Sequence, residues 1–224
     1  MGTTHSTDTA PTGRPEHLAV AAAGRTAELI ADPAVARGWG EDSVLPGYRV
    51  GGLAAHLARA LETVRTYLAA DAPAVDARLV DAVGYYRAVL GEHDPRSSDF
   101  HQAVRERGEA RVAAGHDTLV TEVRGAADWF AAEELDLDRP VSVLAGTAMR
   151  LGDYLDTRLV EMLVHGRDLA ASVALPIPAY DEEAWRTVAQ VLTRATAARH
   201  GWRGLALGLA RPELGVGAFT VGPA

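Results

Sequence analysis

LGDYLDTRLVEMLVHGRDLAAS, residues 151–172, carries the fold in its spacing. Leu155, Leu159, Met162, Leu163 and Leu169 recur at helical intervals, so the stretch predicts a helix with apolar faces. Tyr154, Arg158, Glu161, His165, Asp168 and Ser172 keep the i, i+4, i+7 rhythm and form a polar stripe down one side. The two prolines of ALPIPAY, residues 174–180, close the helix.

The same reading extends upstream. In DSVLPGYRVGGLAAHLARALETVRTYLAAD, residues 42–71, a Pro-Gly turn precedes Leu53, Leu57, Ala60, Leu61, Val64 and Leu68, spaced for one face of a long helix that stops before Pro73. His56 lies beside Leu53 and Leu57 on that inward face. A first helix is expected from Glu16 to about Ala31, with Leu18, Ala22, Leu29 and Ile30 inward and Asp32-Pro33 marking its end. A third is expected from Asp76 to Leu90, followed by the interior loop GEHDPRSSD, residues 91–99. Ser98 or Asp99 then caps a long charged helix to about Glu134, with Val104, Val112, Leu119, Val123, Trp129 and Phe130 as core candidates.

LDLDRPVSVLAGTAMRL, residues 135–151, breaks the helical pattern with Pro140, Gly146 and a β-branched run, and reads as a connector with a short extended piece. Residues 181–200 predict another helix, and the Gly-rich tail from Arg203 predicts two short strands meeting at Arg211-Pro212. Long amphipathic helices without βαβ alternation give a mainly α fold, an up-and-down four-helix bundle with an extra C-terminal helix. Residues 1–14 read as a disordered leader, 15–200 as the bundle and 201–224 as a tail packed on it.

A net charge of −8, with both signs interspersed, argues against nucleic-acid and anionic-membrane partners and for a small molecule. No signal segment or membrane span is legible, which predicts a cytoplasmic protein. With no cysteine in the chain, thiolate chemistry requires an outside thiol. A flat-sided bundle is compatible with a homodimer.

Glu161 and His165 stand one helical turn apart, flanked by Val160, Met162, Leu163 and Val164. A carboxylate buried there must be paired, protonated or bound to a cation. Carboxylate and imidazole at i and i+4, joined by His56 from a facing helix, suit a divalent ion such as zinc with one position open. Spacing alone leaves other readings open, since a Glu-His pair is commonly a solvated or salt-bridged face and His56 reads equally as a hydrogen-bonded core residue. Asp168 is a candidate acceptor orienting the His165 ring, or one half of a surface salt bridge. Arg158 reads first as a partner of Asp153 or Asp156, and otherwise as a contact for an anionic substrate. His93, His101, His116 and His200 lie among charged residues and are expected to be solvated; Tyr85-Tyr86 reads as core or interface.

LPGYRVGGLAAHLA, residues 45–58, and TRLVEMLVHGRDLA, residues 157–170, resemble two motifs of the DinB/YfiT-like metalloenzyme superfamily, in its actinobacterial branch, the mycothiol-dependent maleylpyruvate isomerase family. The resemblance runs from about Glu16 to Ser172. It implies that His56, Glu161 and His165 hold a divalent metal, zinc first, with nickel, iron(II) and manganese(II) also suited. It further implies that mycothiol or another small thiol is co-substrate of an S-transferase or isomerase acting on an electrophilic metabolite. A hydrolase or lyase using metal-bound water, and a non-catalytic binding bundle with a structural metal, are the alternatives. Tyr48 replaces the family's usual Trp, Gly52 a common Asp and Arg167 the Trp before Asp168; Arg167 reads first as a solvated surface residue, and otherwise as one that alters the site mouth. In the isomerases a larger C-terminal domain, beginning about where this chain ends, helps to form the thiol and substrate site.

Overall fold

The computed structural model describes residues 15–90, 108, 111–144 and 146–211. Helices are α1 (Pro15–Ile30), α2 (Pro33–Arg37), α3 (Val50–Ala69), α4 (Ala82–Leu90), α5 (His116–Ala132), α6 (Leu151–Ser172) and α7 (Glu182–Ala210). Strands are β1 (Arg78–Leu79), β2 (Pro140–Leu144) and β3 (Thr147–Arg150). Both α1 and α3 pack against α5 and α6, so these four helices enclose one contiguous core, and α7 lies outside against α6 and α4. The chain is thus mainly α, as its periodicity requires. Among the described residues no helix is long and apolar enough to cross a membrane.

Two local devices set the helices that matter most. Before α3, Tyr48 N–H donates to the Leu45 carbonyl at 3.1 Å across Pro46-Gly47, and Gly47 takes φ 84°, the positive value that a type II turn demands. The returning chain then satisfies the first amides of α3: Val50 N–H donates to Glu41 and Gly51 N–H to Trp39, at 2.9 and 3.0 Å. At α6 the β2–β3 hairpin turns at Gly146, φ 70°, and runs straight into the helix. There the amides of Leu151 and Gly152 donate to the Arg139 and Leu137 carbonyls, both at 2.9 Å. Each of these helix starts is thus fixed by backbone bonds to the chain that precedes it.

Gly166 is a packing requirement on α6. The Tyr180 hydroxyl donates to the Met162 carbonyl at 3.0 Å and lies 3.3 Å from Thr26 Oγ1, and a Cβ on Gly166 would fall 2.2 Å from that oxygen. Tyr180 is buried and cannot swing away without breaking both contacts. Gly166→Ala is therefore expected to cost about 1–3 kcal/mol of stability, seen as a fall of several degrees in Tm; an unchanged Tm would show that Tyr180 is free to move.

Three expectations from the sequence are corrected. The helix expected from Asp76 begins at Ala82, because Arg78 and Val80 pair instead with Gly146 and Ala148 and Asp81 accepts from the Gly84 amide at 2.8 Å. The single charged helix is interrupted at Gly115, φ 87°, which precedes α5. Instead of extended chain, the residues from Arg203 to Ala210 continue α7 beyond a kink at Gly201, φ 74°, because Leu and Ala favour the helix and Gly201 absorbs the break. The leader 1–14, the 91–99 loop with Ser98, Asp99 and His93, the positions His101 and Val104, and the tail from Pro212 lie outside the described residues.

Candidate metal centre

His56 comes from the middle of α3, and Glu161 and His165 from the middle of α6, so all three stand on rigid elements of the core. One oxygen of Glu161 receives both rings: Oε2 lies 3.3 Å from His56 Nε2 and 3.5 Å from His165 Nε2. The rings sit edge to face, centroids 5.0 Å apart. The three donor atoms fall within 4.8 Å of one another. Donors held about 2.0–2.1 Å from a tetrahedral ion stand about 3.3 Å apart, so the two shorter separations match an edge of such a shell.

Burial and charge point the same way. The His165 side chain is 3% exposed, against 19% for His56 and 15% for Glu161, so what solvent reaches the cluster comes from the His56 and Glu161 side. Burial pushes the Glu161 carboxyl up, but the His56 contact and the charges of His165 and Arg158 outweigh it and hold the group at about 2. Burial likewise lowers His56 below its ordinary value, with Glu161 opposing. The neutral His56 imidazole and ionised Glu161 carboxylate that these shifts favour are the protonation states a metal needs. Among the described residues His56 Nδ1 is buried without a hydrogen-bond partner.

Around these donors, Asp168 reaches the far nitrogen of His165, with Oδ2 3.4 Å from Nδ1, while its other oxygen accepts from Arg167 at 3.0 Å. Asp168 therefore touches both the His165 ring and Arg167, and Arg167 is 56% exposed. Ser172 donates to the Asp168 carbonyl and accepts from Val44 N–H, tying the end of α6 to the turn before α3. Tyr48, from the Pro-Gly turn, is buried with its ring 5.8 Å from His56.

Arg158 differs from the expectation. It pairs with neither Asp153 nor Asp156: it is buried, its Nε donates to Thr157 Oγ1 at 3.1 Å, and its guanidinium carbon stands 4.6 Å from the centre of the Tyr154 ring. Burial and the charge of Asp81 raise Asp153 against Arg150 and Arg194, and burial with Asp153 raises Asp156 to about 6 against Arg194. His116 is not solvated either, since Nε2 lies 2.8 Å from the Ile30 carbonyl and its ring meets Trp39 edge-on, whereas His200 is exposed. Tyr154 precedes Arg158 by one turn in the same stripe, but Tyr85 was invisible in the sequence: it reaches Arg158 from α4, and no spacing rule links residues 85 and 158.

The family model described as the mycothiol maleylpyruvate isomerase N-terminal domain matches residues 19–170, a span holding α1 through most of α6 and all three facing donors. No curated protein and no solved structure matches the chain.

Proposed function

Because this chain belongs to the mycothiol maleylpyruvate isomerase N-terminal domain family, we propose that it is a divalent-metal enzyme that uses mycothiol or a related small thiol to transfer or isomerise at an electrophilic carbon. His56, Glu161 and His165 are its metal ligands in this reading, with zinc the first choice for a two-nitrogen, one-oxygen set. The observation that carries it is the meeting of both Nε2 atoms at one partly buried carboxylate oxygen. Structural zinc sites are normally closed by four protein ligands, so a three-ligand set with one open side favours catalysis. A divalent ion bound there supplies charge stabilisation to a coordinated thiol, favouring its anion near neutral pH.

The residues around the donors have separable tasks. Asp168 holds His165 by its far nitrogen, which fixes the ring with Nε2 turned inward. Tyr48 walls the site beside His56, and the apolar packing of α3 against α6 keeps bulk water from the donors on the core side. Since the chain has no cysteine, the nucleophilic sulfur must arrive with a co-substrate.

The test is turnover of an electrophilic probe, 1-chloro-2,4-dinitrobenzene or maleylpyruvate, by zinc-loaded protein with and without mycothiol. Consumption that requires both zinc and thiol is expected. Zinc-dependent consumption that ignores the thiol would overturn the thiol reading in favour of metal-bound water as the nucleophile.

A further inference from the structure

Among the described residues Arg158 is a buried cation with no carboxylate in direct contact, although its charge and that of Glu161 act on each other. Only 7% of it is exposed, and among the described residues no Asp or Glu lies within ion-pair distance. Its described hydrogen bonds are from Nε to Thr157 Oγ1 and from Nη2 to Tyr85 Oη at 3.5 Å, with the ring of Tyr154 beneath it and that of Tyr85 5.9 Å away. Tyr154 is itself fixed, donating to Thr63 Oγ1 at 2.7 Å. Aromatic faces offset part of the cost of burying a guanidinium, but a neutral side chain would fill the same space without that cost. Arg158 precedes Glu161 by three residues on α6, which puts the two on one helix face a turn apart.

The local charge follows from these neighbours. Asp168 is offset by Arg167, and the two imidazoles are neutral when they ligate. The three donors thus carry a single negative charge, that of Glu161, and Arg158 cancels it. A divalent ion added to this pocket would leave its full double charge uncompensated, and burial limits screening by salt. An anion joining the ion relieves that excess.

We propose that Arg158 is a positioning residue for this centre: its carboxylate-free guanidinium weakens the hold of the three donors on a cation and strengthens the binding of an anionic ligand, such as a thiolate, beside it. The inference rests on the metal-centre reading. It assigns to Arg158 an action through the field, without contact to metal or substrate.

Cobalt(II) tests it, because its visible spectrum reports both metal loading and anion binding. Metal-free wild type, Arg158→Gln and Arg158→Lys are titrated with Co2+ against a competing chelator, and the loaded proteins are then titrated with azide. R158Q is expected to bind Co2+ about tenfold tighter and azide about tenfold more weakly, while R158K, which restores the charge, stays near wild type on both. Unchanged or weaker Co2+ binding by R158Q, or unchanged azide binding, overturns the proposal. If R158Q does not fold, Arg158→Met serves as the neutral variant. If neither neutral variant folds, R158K decides: wild-type affinities support a charge effect, and their loss overturns it. Failure of the wild type to bind Co2+ removes the metal reading and this inference together, whereas normal wild-type binding with an unchanged R158Q removes the inference alone.

Discussion

Glu161→Gln is expected to lower metal affinity by more than about a hundredfold while leaving the protein folded. Losing a group that merely orients a ligand typically costs about 10–100-fold in affinity, so losing the one anionic donor should cost more. Gln matches Glu in shape and can still accept from His56, and the core around it is supplied by Leu155, Leu159, Met162 and Leu163, each at most 1% exposed. Competition with a chromophoric chelator measures the affinity, and circular dichroism the fold. A folded E161Q that binds zinc as tightly as wild type would remove Glu161 from the site.

The metal-free protein is expected to lose stability on acidification in two windows. His56 is held below its ordinary 6.5 by burial, so the unfolded chain takes up that proton first and stability declines as pH falls below about 6.5. Glu161 is held at about 2 against an ordinary 4.5, so its contribution is complete above 4.5 and is lost as pH falls towards 2. That shift corresponds to roughly 3 kcal/mol. Asp156, raised to about 6 by burial and by Asp153, works in the opposite sense, gaining stability as pH falls through 6. The difference between wild type and E161Q isolates the carboxylate. Urea unfolding at pH 7.5, 5.5 and 3.0 should show wild type ahead of E161Q at the first two values and the gap narrowing at the last. A gap independent of pH would mean that Glu161 is not held ionised by its neighbours.

Much of this architecture was legible because one helix period governs it. Leu53, Leu57, Leu61 and Val64 on α3, and Leu155, Leu159 and Leu163 on α6, are all buried where their spacing puts them. The i, i+4 pair Glu161 and His165 needed only that period, and His56 followed from its place among inward leucines. What failed depended on partners distant in sequence. Arg78 and Val80 look helical until β3 offers them backbone bonds, and Arg158 looks like a partner for Asp153 or Asp156 until Tyr85 and Tyr154 close around it. His116 has charged neighbours in sequence but bonds the Ile30 carbonyl, a contact that exists only once α1 and α5 are packed. Around α4 and Arg158, then, local spacing was a poor guide because tertiary contacts overrode it.

The central claim is that two imidazoles and one carboxylate from α3 and α6 share a single cation. Elemental analysis of purified wild type, His56→Ala, Glu161→Gln and His165→Ala, each shown to be folded, tests it most directly. About one divalent ion per wild-type chain, falling close to zero in every variant, is the predicted result; an ion retained in full by all three would contradict it.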